Sequence, residues 1–430
     1  MTKSINFLNS TILLLVFFLI PIPLGAEDKF EESMFNLPLE EVMDVHIITA
    51  SRRDESAKNA PGIISVITRK QIEQSGARGL TDILNMVPGF SSGAWANSTS
   101  IYVRGAYSEG KSNNILLMID GRRINTCFHG NAFEHYDIPV RSIKQVEIIR
   151  GPGSVLYGAN ASVAVINIIT ESGEEIDGAE LSYRAGSFES HYGWIKAGKR
   201  VNDDFEFSIS GNMTKYNNTS LPHEDFTVSG EKYTNLRGAD VHDIYSVEGR
   251  ITFKDLTFHA SYIDSSHGLA GAGLDKSLDV EDFLSGSDKD EYSLGVIHKY
   301  KWLDNINITS SLTYGGYRNE FTSVAAGFPH YYSAVGNGLK AETVTKTWSD
   351  YFDGEVNLDW FLSEKHLFLI GFNFRKETIK SENWRDLVWG VIGGEPAVAG
   401  RTDPYLVNTA IDSETREIHA EYAQYTFKPS

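Results

Sequence analysis

Apolar and polar residues alternate along the second half of the chain. In one run, Phe205, Phe207 and Ile209 are separated by glutamate and serine, and this period of two indicates a strand with one apolar and one polar face. From Gly178 onward the pattern predicts ten strands, at 178–186, 189–199, 203–216, 242–252, 255–264, 289–300, 305–318, 346–361, 364–380 and 414–428.

The connections at one end of the predicted strands are short, and most of those at the other end are long. Short turns are predicted near 201, 254, 303 and 363, and long polar connections at 217–241, 265–288, 319–345 and 381–413; on the long side only Gly186–Phe188 is short. Long strands with one apolar face, short turns at one end and long loops at the other are typical of a transmembrane β-barrel. A soluble β-sandwich is the alternative, and it would have shorter strands.

The chain before Gly178 lacks this alternation and predicts an α+β domain. Ile138–Thr170 contains two apolar strands on either side of the glycine-rich turn GPGSVLYG, where glycine permits a tight reversal. Further strands are predicted at 61–68, 101–103 and 116–119. Short helices are predicted at 70–74 and 81–87, and Pro88-Gly89 ends the second.

The first 26 residues have the features of a cleavable signal peptide. Lys3 precedes the apolar run Ile12–Ile20, which is too short to span a bilayer, and Leu24-Gly25-Ala26 supplies a cleavage site. We therefore expect the mature chain to begin at Glu27. Because no later apolar stretch is long enough for a transmembrane helix, the exported chain is expected to be periplasmic or a β-barrel.

Composition excludes several classes of function. The formal net charge is −18, which opposes nucleic-acid binding because phosphate contacts need clustered lysine and arginine. The single cysteine, Cys127, excludes an intramolecular disulfide. No Ser-His-Asp, paired-carboxylate or Cys-His arrangement occurs at an interpretable spacing, so we predict neither an enzyme nor a bound cofactor.

Five sequence blocks in the first half resemble the plug domain of TonB-dependent outer-membrane receptors. They are VITRKQIEQSGAR (Val66–Arg78), LTDILNMVPGF (Leu80–Phe90), IYVRG (Ile101–Gly105), LLMIDGRRI (Leu116–Ile124) and EIIRGPGSVLYGANA (Glu147–Ala161). Their order is that of the family. The resemblance implies an α+β plug domain followed by an antiparallel transmembrane β-barrel of about 22 strands. Ten strands would then be an incomplete, N-terminal portion of that barrel.

The resemblance also implies a division of the chain into four parts. These are a signal peptide at 1–26, a periplasmic segment at 27–50, the plug at 51–172 and a truncated barrel at 173–430. The segment before the plug resembles a TonB box, which adds as a strand to the periplasmic energiser protein TonB; its residues are Asp44, Val45, His46, Ile47, Ile48, Thr49 and Ala50. An ordinary first strand of the plug is the alternative.

Other side chains receive roles by the same resemblance. Arg104 and Arg150 occupy equivalent places in two blocks and are expected to pair with barrel carboxylates that face the lumen, with Glu355 and Glu421 as candidates. Loops facing the ligand are expected to carry aromatic and histidine residues, namely Trp95, Tyr107, Phe128, His129, Phe133, His135 and Tyr136. His129 and His135 would alternatively be plain polar residues rather than metal or haem ligands, and no metal site is predicted.

These expectations combine into one function with alternatives. We expect an outer-membrane receptor that binds a scarce ligand, with a ferric siderophore favoured, and imports it with energy supplied through TonB. Cobalamin, haem or another ligand of such receptors is the alternative, as is a non-transporting binding or adhesion remnant. A signalling receptor would need an extra folded domain before the box, and 27–43 is too short for one.

Overall fold

The computed structural model describes most of the chain after residue 45. The described residues are 46–49, 55–56, 63–95, 98–106, 112–127, 130–132, 138, 140–187, 189–217, 226–228, 231–233, 241–268, 286–326, 340–363, 365–392, 395–397 and 411–427. The predicted signal peptide and cleavage site lie outside them. Within these ranges no helix has the length and apolar character needed to cross a membrane.

Residues before Gly178 form the plug, a mixed sheet with short helices. Its strands are β1 (His46–Ile47), β2 (Glu55–Ser56), β3 (Ile64–Thr68), β4 (Phe90–Trp95), β5 (Ser98–Val103), β6 (Ile115–Ile119), β7 (Arg122–Arg123), β8 (Ile143–Arg150) and β9 (Ala164–Thr170). The plug sheet has the order β3-β8-β9-β6-β7, and β1–β2 and β4–β5 are separate hairpins. Within the plug sheet only β6 and β9 run parallel.

Four short α-helices accompany these strands: α1 (Arg69–Ser75), α2 (Leu80–Asn85), α3 (Ser154–Tyr157) and α4 (Gly173–Ile176). A 3-10 turn at Val140–Ser142 precedes β8. Helix α1 begins at Thr68, whose side chain and that of Gln71 cap each other's backbone N–H groups, and ends at Gly76 in the left-handed conformation. The helices predicted at 70–74 and 81–87 correspond to α1 and α2.

The plug core lies on both faces of its sheet. On the larger face, α1 and α2 pack against alternate residues of β6, β8 and β9, including Leu117, Ile148 and Ile166. On the smaller face, Leu116, Met118 and Val165 form a second cluster with Ala161. Because both faces are covered, the central strands are almost continuously apolar, as expected for a sheet buried on two sides.

The remaining strands form one large antiparallel sheet. They are β10 (Gly178–Gly186), β11 (Ser190–Asn202), β12 (Phe205–Asn217), β13 (Phe226–Val228), β14 (Glu231–Tyr233), β15 (Val241–Phe253), β16 (Leu256–Gly268), β17 (Gly286–Leu303), β18 (Ile306–Ala326), β19 (Lys340–Phe361), β20 (His366–Ile392), β21 (Glu395–Ala397) and β22 (Ile411–Phe427). The β13–β14 hairpin is separate, and β21 adds to the end of β20.

Ten of these strands, which we call the wall, pair in the order β10-β11-β12-β15-β16-β17-β18-β19-β20-β22. All ten predicted strands are present, most of them longer than predicted at the end that carries the long connections. The last-but-one strand, predicted at 364–380, extends to Ile392. Within the described part of the chain, β10 and β22 each pair with one wall strand, so the wall is an open sheet there.

The two faces of the wall differ in chemistry. One face exposes large apolar side chains, among them Leu181, Ile209, Ile251, Phe258, Leu294, Leu312, Phe352 and Ile370. The other face, which contacts the plug, carries polar and charged residues such as Lys196, Glu248, Ser293 and Arg375. This is the arrangement that the alternating pattern predicts, with one face for lipid and one for a polar interior.

The stability of the plug is expected to depend strongly on its central strand, β9. Replacing fully buried Ile166 with alanine should destabilise the plug by about 2–5 kcal/mol, because the substitution leaves a cavity between β9 and the helices. Urea unfolding followed by proteolysis of the plug measures this. The matched variant Ile63→Ala, at a position that is 52% exposed, should change stability by less than about 1 kcal/mol; equal effects would contradict the assignment of the core.

Candidate functional site: the N-terminal segment and the plug–wall contacts

The segment predicted as the TonB box is partly folded onto the plug. Residues 46–49 are described, and Asp44, Val45 and Ala50 lie outside the description. Ile47 and Thr49 are fully buried, whereas Ile48 is 45% exposed. His46 and Ile47 pair with Ser56 and Glu55 as a two-residue antiparallel ladder. In this conformation the segment is an integral part of the plug surface.

Glu147 on β8 is the main polar contact of this segment. One carboxylate oxygen of Glu147 accepts hydrogen bonds from the backbone N–H groups of Ile48 (2.9 Å) and Thr49 (2.8 Å) and from the Thr49 hydroxyl. The other accepts from the Gln145 amide at 2.8 Å. Glu147 is completely buried, so these donors replace the water that would otherwise solvate the carboxylate.

Two further plug residues complete the docking of Thr49. The Asn167 amide of β9 donates to the Thr49 hydroxyl at 3.0 Å, and the Tyr157 hydroxyl at the end of α3 donates to the Thr49 carbonyl at 2.7 Å. Glu147 and Asn167 lie opposite each other in the β8–β9 ladder. Both side chains are polar and buried within the plug sheet, and both bind the same short segment.

A tight hairpin turn carries charged plug residues to the wall. Ile119 and Arg122 pair across the turn, and its central residues Asp120 and Gly121 have φ values of 48° and 79°. Positive φ at both central positions is the requirement of a type I′ turn, which Asp-Gly meets well. The Asp120 carboxylate accepts from the Thr170 N–H at 2.9 Å and from the Thr170 hydroxyl at 2.7 Å, so β9 fixes the turn.

Arg122 projects from this turn into the wall. Its guanidinium forms an ion pair with Glu248 of β15 at 3.1 Å and donates to the Ser293 hydroxyl of β17 at 2.9 Å. In the opposite direction, Arg250 of β15 lies 3.5 Å from the Asp120 carboxylate. Two plug charges thus meet two wall charges of opposite sign across the boundary.

The end of the plug sheet makes a second set of wall contacts. Glu171, which follows β9, pairs with Lys196 of β11 at 2.6 Å, and its carbonyl accepts from Arg250 at 2.8 Å. The N–H of Gly173, at the start of α4, donates to the Glu206 carboxylate of β12 at 2.7 Å. A Cβ atom at Gly173 would lie 2.1 Å from the Phe207 carbonyl oxygen, so only glycine allows this close approach.

A third contact holds the base of one loop predicted to face the ligand. Arg375 of β20 is buried between Glu377 (2.6 Å) and Asp353 (3.1 Å) and donates to the Cys127 sulfur at 3.6 Å. Arg416 of β22 pairs with Glu377 and donates to the Cys127 carbonyl at 3.3 Å. Burial raises the pKa of Cys127 to about 11, since nearby Arg375 only partly offsets desolvation.

The residues predicted to face the ligand lie outside the described side chains. Six of them lie outside the described residues, namely Tyr107, Phe128, His129, Phe133, His135 and Tyr136, and the seventh, Trp95, is described only through its backbone at the end of β4. Their role stays a prediction. Within the described ranges, no group of three or more histidine, cysteine or acidic residues is arranged to hold a metal ion.

The two arginines expected to pair with the barrel are placed on the plug. Arg150 donates to the Pro88 carbonyl at 3.2 Å, and Arg104 has a φ of 51° with its N–H bonded to the Gly89 carbonyl at 2.7 Å. Neither forms an ion pair with a carboxylate of the described residues, so their pairing stays a prediction. Glu421 lies opposite Phe372 on the apolar face of the wall, so it does not face the plug as the sequence analysis expected.

Sequence analysis missed the residues that do join plug and wall. Asp120 and Arg122 lie within the block Leu116–Ile124, whose Asp-Gly pair is a signal for a tight turn that the sequence analysis did not use. Glu147 begins the block Glu147–Ala161, and a carboxylate between the apolar residues Val146 and Ile148 is itself a signal. Glu248 and Arg250 carried no sequence signal beyond polar positions in an alternating strand.

Comparison with known proteins agrees with this geometry. Residues 56–165 match the family model of the TonB-dependent receptor plug domain. The vitamin B12 transporter BtuB of Vibrio vulnificus is 40% identical over 147 residues, which are 34% of this chain and 23% of that protein. The same transporter of Photobacterium profundum is 36% identical over 148 residues, again 34% and 23% of the two chains. The matched part is about a quarter of these relatives' length.

Solved structures extend the similarity over the wall. The siderophore receptor PiuA of Acinetobacter baumannii has a TM-score of 0.60 at 16% identity, over 91% of this chain and 66% of that one. The pyoverdine receptor FpvA of Pseudomonas aeruginosa has a TM-score of 0.61 at 14% identity, over 88% and 56%. At these identities the likeness concerns the fold, and it confirms the predicted plug followed by part of an antiparallel barrel. Residues 56–165 thus match the plug domain of TonB-dependent receptors, and the ten antiparallel wall strands resemble in fold a part of the barrels of the solved receptors.

Proposed function

We propose that this chain acts in energy-coupled import of a scarce ligand across the outer membrane. The observation that carries this proposal is the plug fixed against the polar face of the wall, while the opposite face of the wall is apolar. A plug held by ion pairs closes the interior of a barrel, and opening it requires work. The outer membrane holds no nucleotide, so we infer that the work comes from TonB pulling on Asp44–Ala50.

The ligand has two candidate classes. A ferric siderophore is the class favoured by the sequence analysis, and the solved structures of similar fold include the siderophore receptor PiuA. Cobalamin is favoured by a different observation, because two relatives that are 40% and 36% identical over about a third of this chain are vitamin B12 transporters. Binding of cyanocobalamin and of ferric siderophores to cells expressing the receptor separates the two; failure of both classes would leave the ligand proposal without support.

Energy coupling is tested with a proline in the predicted TonB box. Ile48→Pro should abolish ligand accumulation, because proline removes a backbone donor that strand addition needs. Ile48→Ala should retain most accumulation, since the side chain is half-exposed and main-chain bonds supply the contact. The measurement is uptake of labelled ligand beside binding of the same ligand, with a TonB-deficient strain as reference. Normal accumulation by the proline variant would exclude Ile48 from the coupling strand.

Membrane insertion is tested on the apolar face of the wall. Leu294→Arg places a charge at a position that is 57% exposed, and a lipid-facing arginine costs about 2–4 kcal/mol near the bilayer centre. The fraction of chain that assembles in the outer membrane should fall. Asn212→Arg, on the polar face, should assemble normally, and equal loss in both variants would contradict the assigned faces.

The ion pair of the hairpin turn is expected to stabilise the closed plug. Arg122→Met removes the ion-pair partner of Glu248, whose side chain is only 22% exposed, so the plug should lose up to about 3 kcal/mol of stability. Amide exchange of the plug strands in the membrane-embedded protein measures this loss. Adding Glu248→Leu should restore much of it, because the uncompensated charge is then removed.

The control for this ion pair is Arg200→Met. Arg200 pairs with Glu174 at 2.7 Å but is 48% exposed, against 12% for the Arg122 side chain. Exposed pairs contribute less than about 1 kcal/mol. An equal effect of the two variants would show that burial of the Arg122–Glu248 pair is not what matters.

A further inference from the structure

The boundary between plug and wall is built differently on its two sides. At strands β11 to β17, charged wall side chains pair with plug charges, as Lys196 does with Glu171 and Glu248 does with Arg122. At strands β19, β20 and β22, the charged wall side chains described above pair with one another. The two sides therefore differ in what must be broken when the plug moves away from the wall.

Strands β19, β20 and β22 carry a band of polar side chains on the face that meets the plug, which we call the polar strip. Arg375 pairs with Asp353 and Glu377, and Glu377 also pairs with Arg416. The Asn373 amide donates to Asp353 at 3.0 Å. Further along the same strands, three side chains bond to one another in the same way, namely Glu355, Asn357 and Tyr422. These bonds all join one part of the wall to another.

Cys127 is the plug residue that contacts the polar strip. Its sulfur accepts from Arg375 at 3.6 Å, and its carbonyl accepts from Arg416 at 3.3 Å. Both acceptors are uncharged. If Cys127 moves away, Arg375 keeps its bonds to Asp353 and Glu377, and Arg416 keeps its bond to Glu377. Separation here therefore breaks none of the ion pairs of the strip and leaves no charge without its partner.

Separation at β11 to β17 meets more resistance. It pulls Arg122 from Glu248 and Glu171 from Lys196, and these four side chains are between 10% and 22% exposed. Opposite charges attract most strongly in a medium of low dielectric constant, so the first part of the movement, before water enters, costs the most. The close approach of Gly173 to the wall backbone adds a tight packing contact on the same side.

The segment that carries Cys127 is tied to the plug sheet rather than to the wall. The buried Asn125 side chain accepts from the Leu117 N–H and donates to the Ile115 carbonyl, both at 2.9 Å. Both partners lie on the central strand β6. Cys127 should therefore move with the plug, and the gap should open between Cys127 and the wall.

We propose that the plug separates from the wall first along the polar strip, that it stays attached at β11 to β17, and that the ligand passes through the gap beside Cys127. The naming of a ligand rests on the function proposed above, whereas the order of separation does not. The strip can meet water or a polar ligand without rearrangement, because its charges are already paired within the wall. Asn357, Asn373 and Tyr422 supply uncharged donors and acceptors along it.

The order of separation is tested on the full chain in detergent micelles, in urea too dilute to unfold the plug. Modification of Cys127 by N-ethylmaleimide reports the strip, and amide exchange at Gly173, which donates to Glu206 of the wall, reports the other side. The modification rate should rise by about tenfold before exchange at Gly173 changes. Exchange in β9 shows that the plug stays folded. A rise at Gly173 first, or at the same urea concentration, overturns the proposal.

A substitution in the wall checks that the wall is what protects Cys127. Arg416→Met removes the donor to the Cys127 carbonyl and leaves Glu377 paired with Arg375. Modification of Cys127 should become about tenfold faster without urea, because a hydrogen bond from a charged donor is lost. The control Arg200→Met, at an exposed ion pair on the other side of the boundary, should modify at the parent rate. A parent-like rate in Arg416→Met counts against the proposal.

The passage is tested with a cross-link across the gap. Ser349 of β19 lies close to the Cys127 thiol, so Ser349→Cys places two cysteines side by side. Cells that express this variant are assayed for binding and accumulation of cyanocobalamin and of a ferric siderophore. Oxidation to the disulfide, verified by mass spectrometry, should abolish accumulation and leave binding intact, and a reductant should restore accumulation. Ser349→Cys combined with Cys127→Ser has no partner thiol and should be insensitive to the oxidant.

The results distinguish this proposal from the function on which part of it rests. Undiminished accumulation by the cross-linked chain overturns the passage beside Cys127 and leaves energy-coupled import intact. If the parent chain accumulates neither probe, import of these two ligand classes fails. The order of separation in urea then decides by itself whether the polar strip is where the plug first leaves the wall.

Discussion

Backbone groups that enter a hydrocarbon layer must find hydrogen-bond partners within the protein. This constraint explains most of the chain after Gly178, where long strands satisfy one another through continuous ladders. It also fixes the chemistry of the two faces. One face is apolar, as contact with lipid requires, and the other face is polar where it meets the plug. The plug must then bind a surface that offers charges and hydroxyls rather than a hydrophobic patch.

The plug consequently uses two kinds of stabilisation in different places. Inside, β6, β8 and β9 pack isoleucine, leucine and valine against short helices, so the plug has a core of its own. At the boundary it relies on ion pairs and side-chain hydrogen bonds with wall strands. Apolar burial gives no directional preference, whereas paired charges such as Arg122 with Glu248 specify where the plug sits. Apolar packing therefore stabilises the plug, and the ion pairs at its boundary add stability and also specify its position.

The sequence predicted the strands and helices well, but it did not predict which side chains contact each other across the fold. All ten wall strands followed from alternation, and α1 and α2 were predicted as short helices, the second ended by Pro88-Gly89, because those patterns are local. The docking of Thr49 on Glu147 spans 98 positions and the Arg122–Glu248 bond spans 126. No local pattern encodes such a partner. Glu421 shows the same limit, since one step of register decides which face a strand residue occupies.

The contact that holds Cys127 has a practical consequence for experiments. The chain has one cysteine, and it is buried beneath Arg375 and Arg416 with a pKa of about 11. At neutral pH it stays a protonated thiol, and the thiolate is the form that reacts with maleimides and disulfides. A cysteine introduced at an exposed position would thus carry nearly all of a spectroscopic label, so the native protein is already a suitable background for distance measurements between plug and wall.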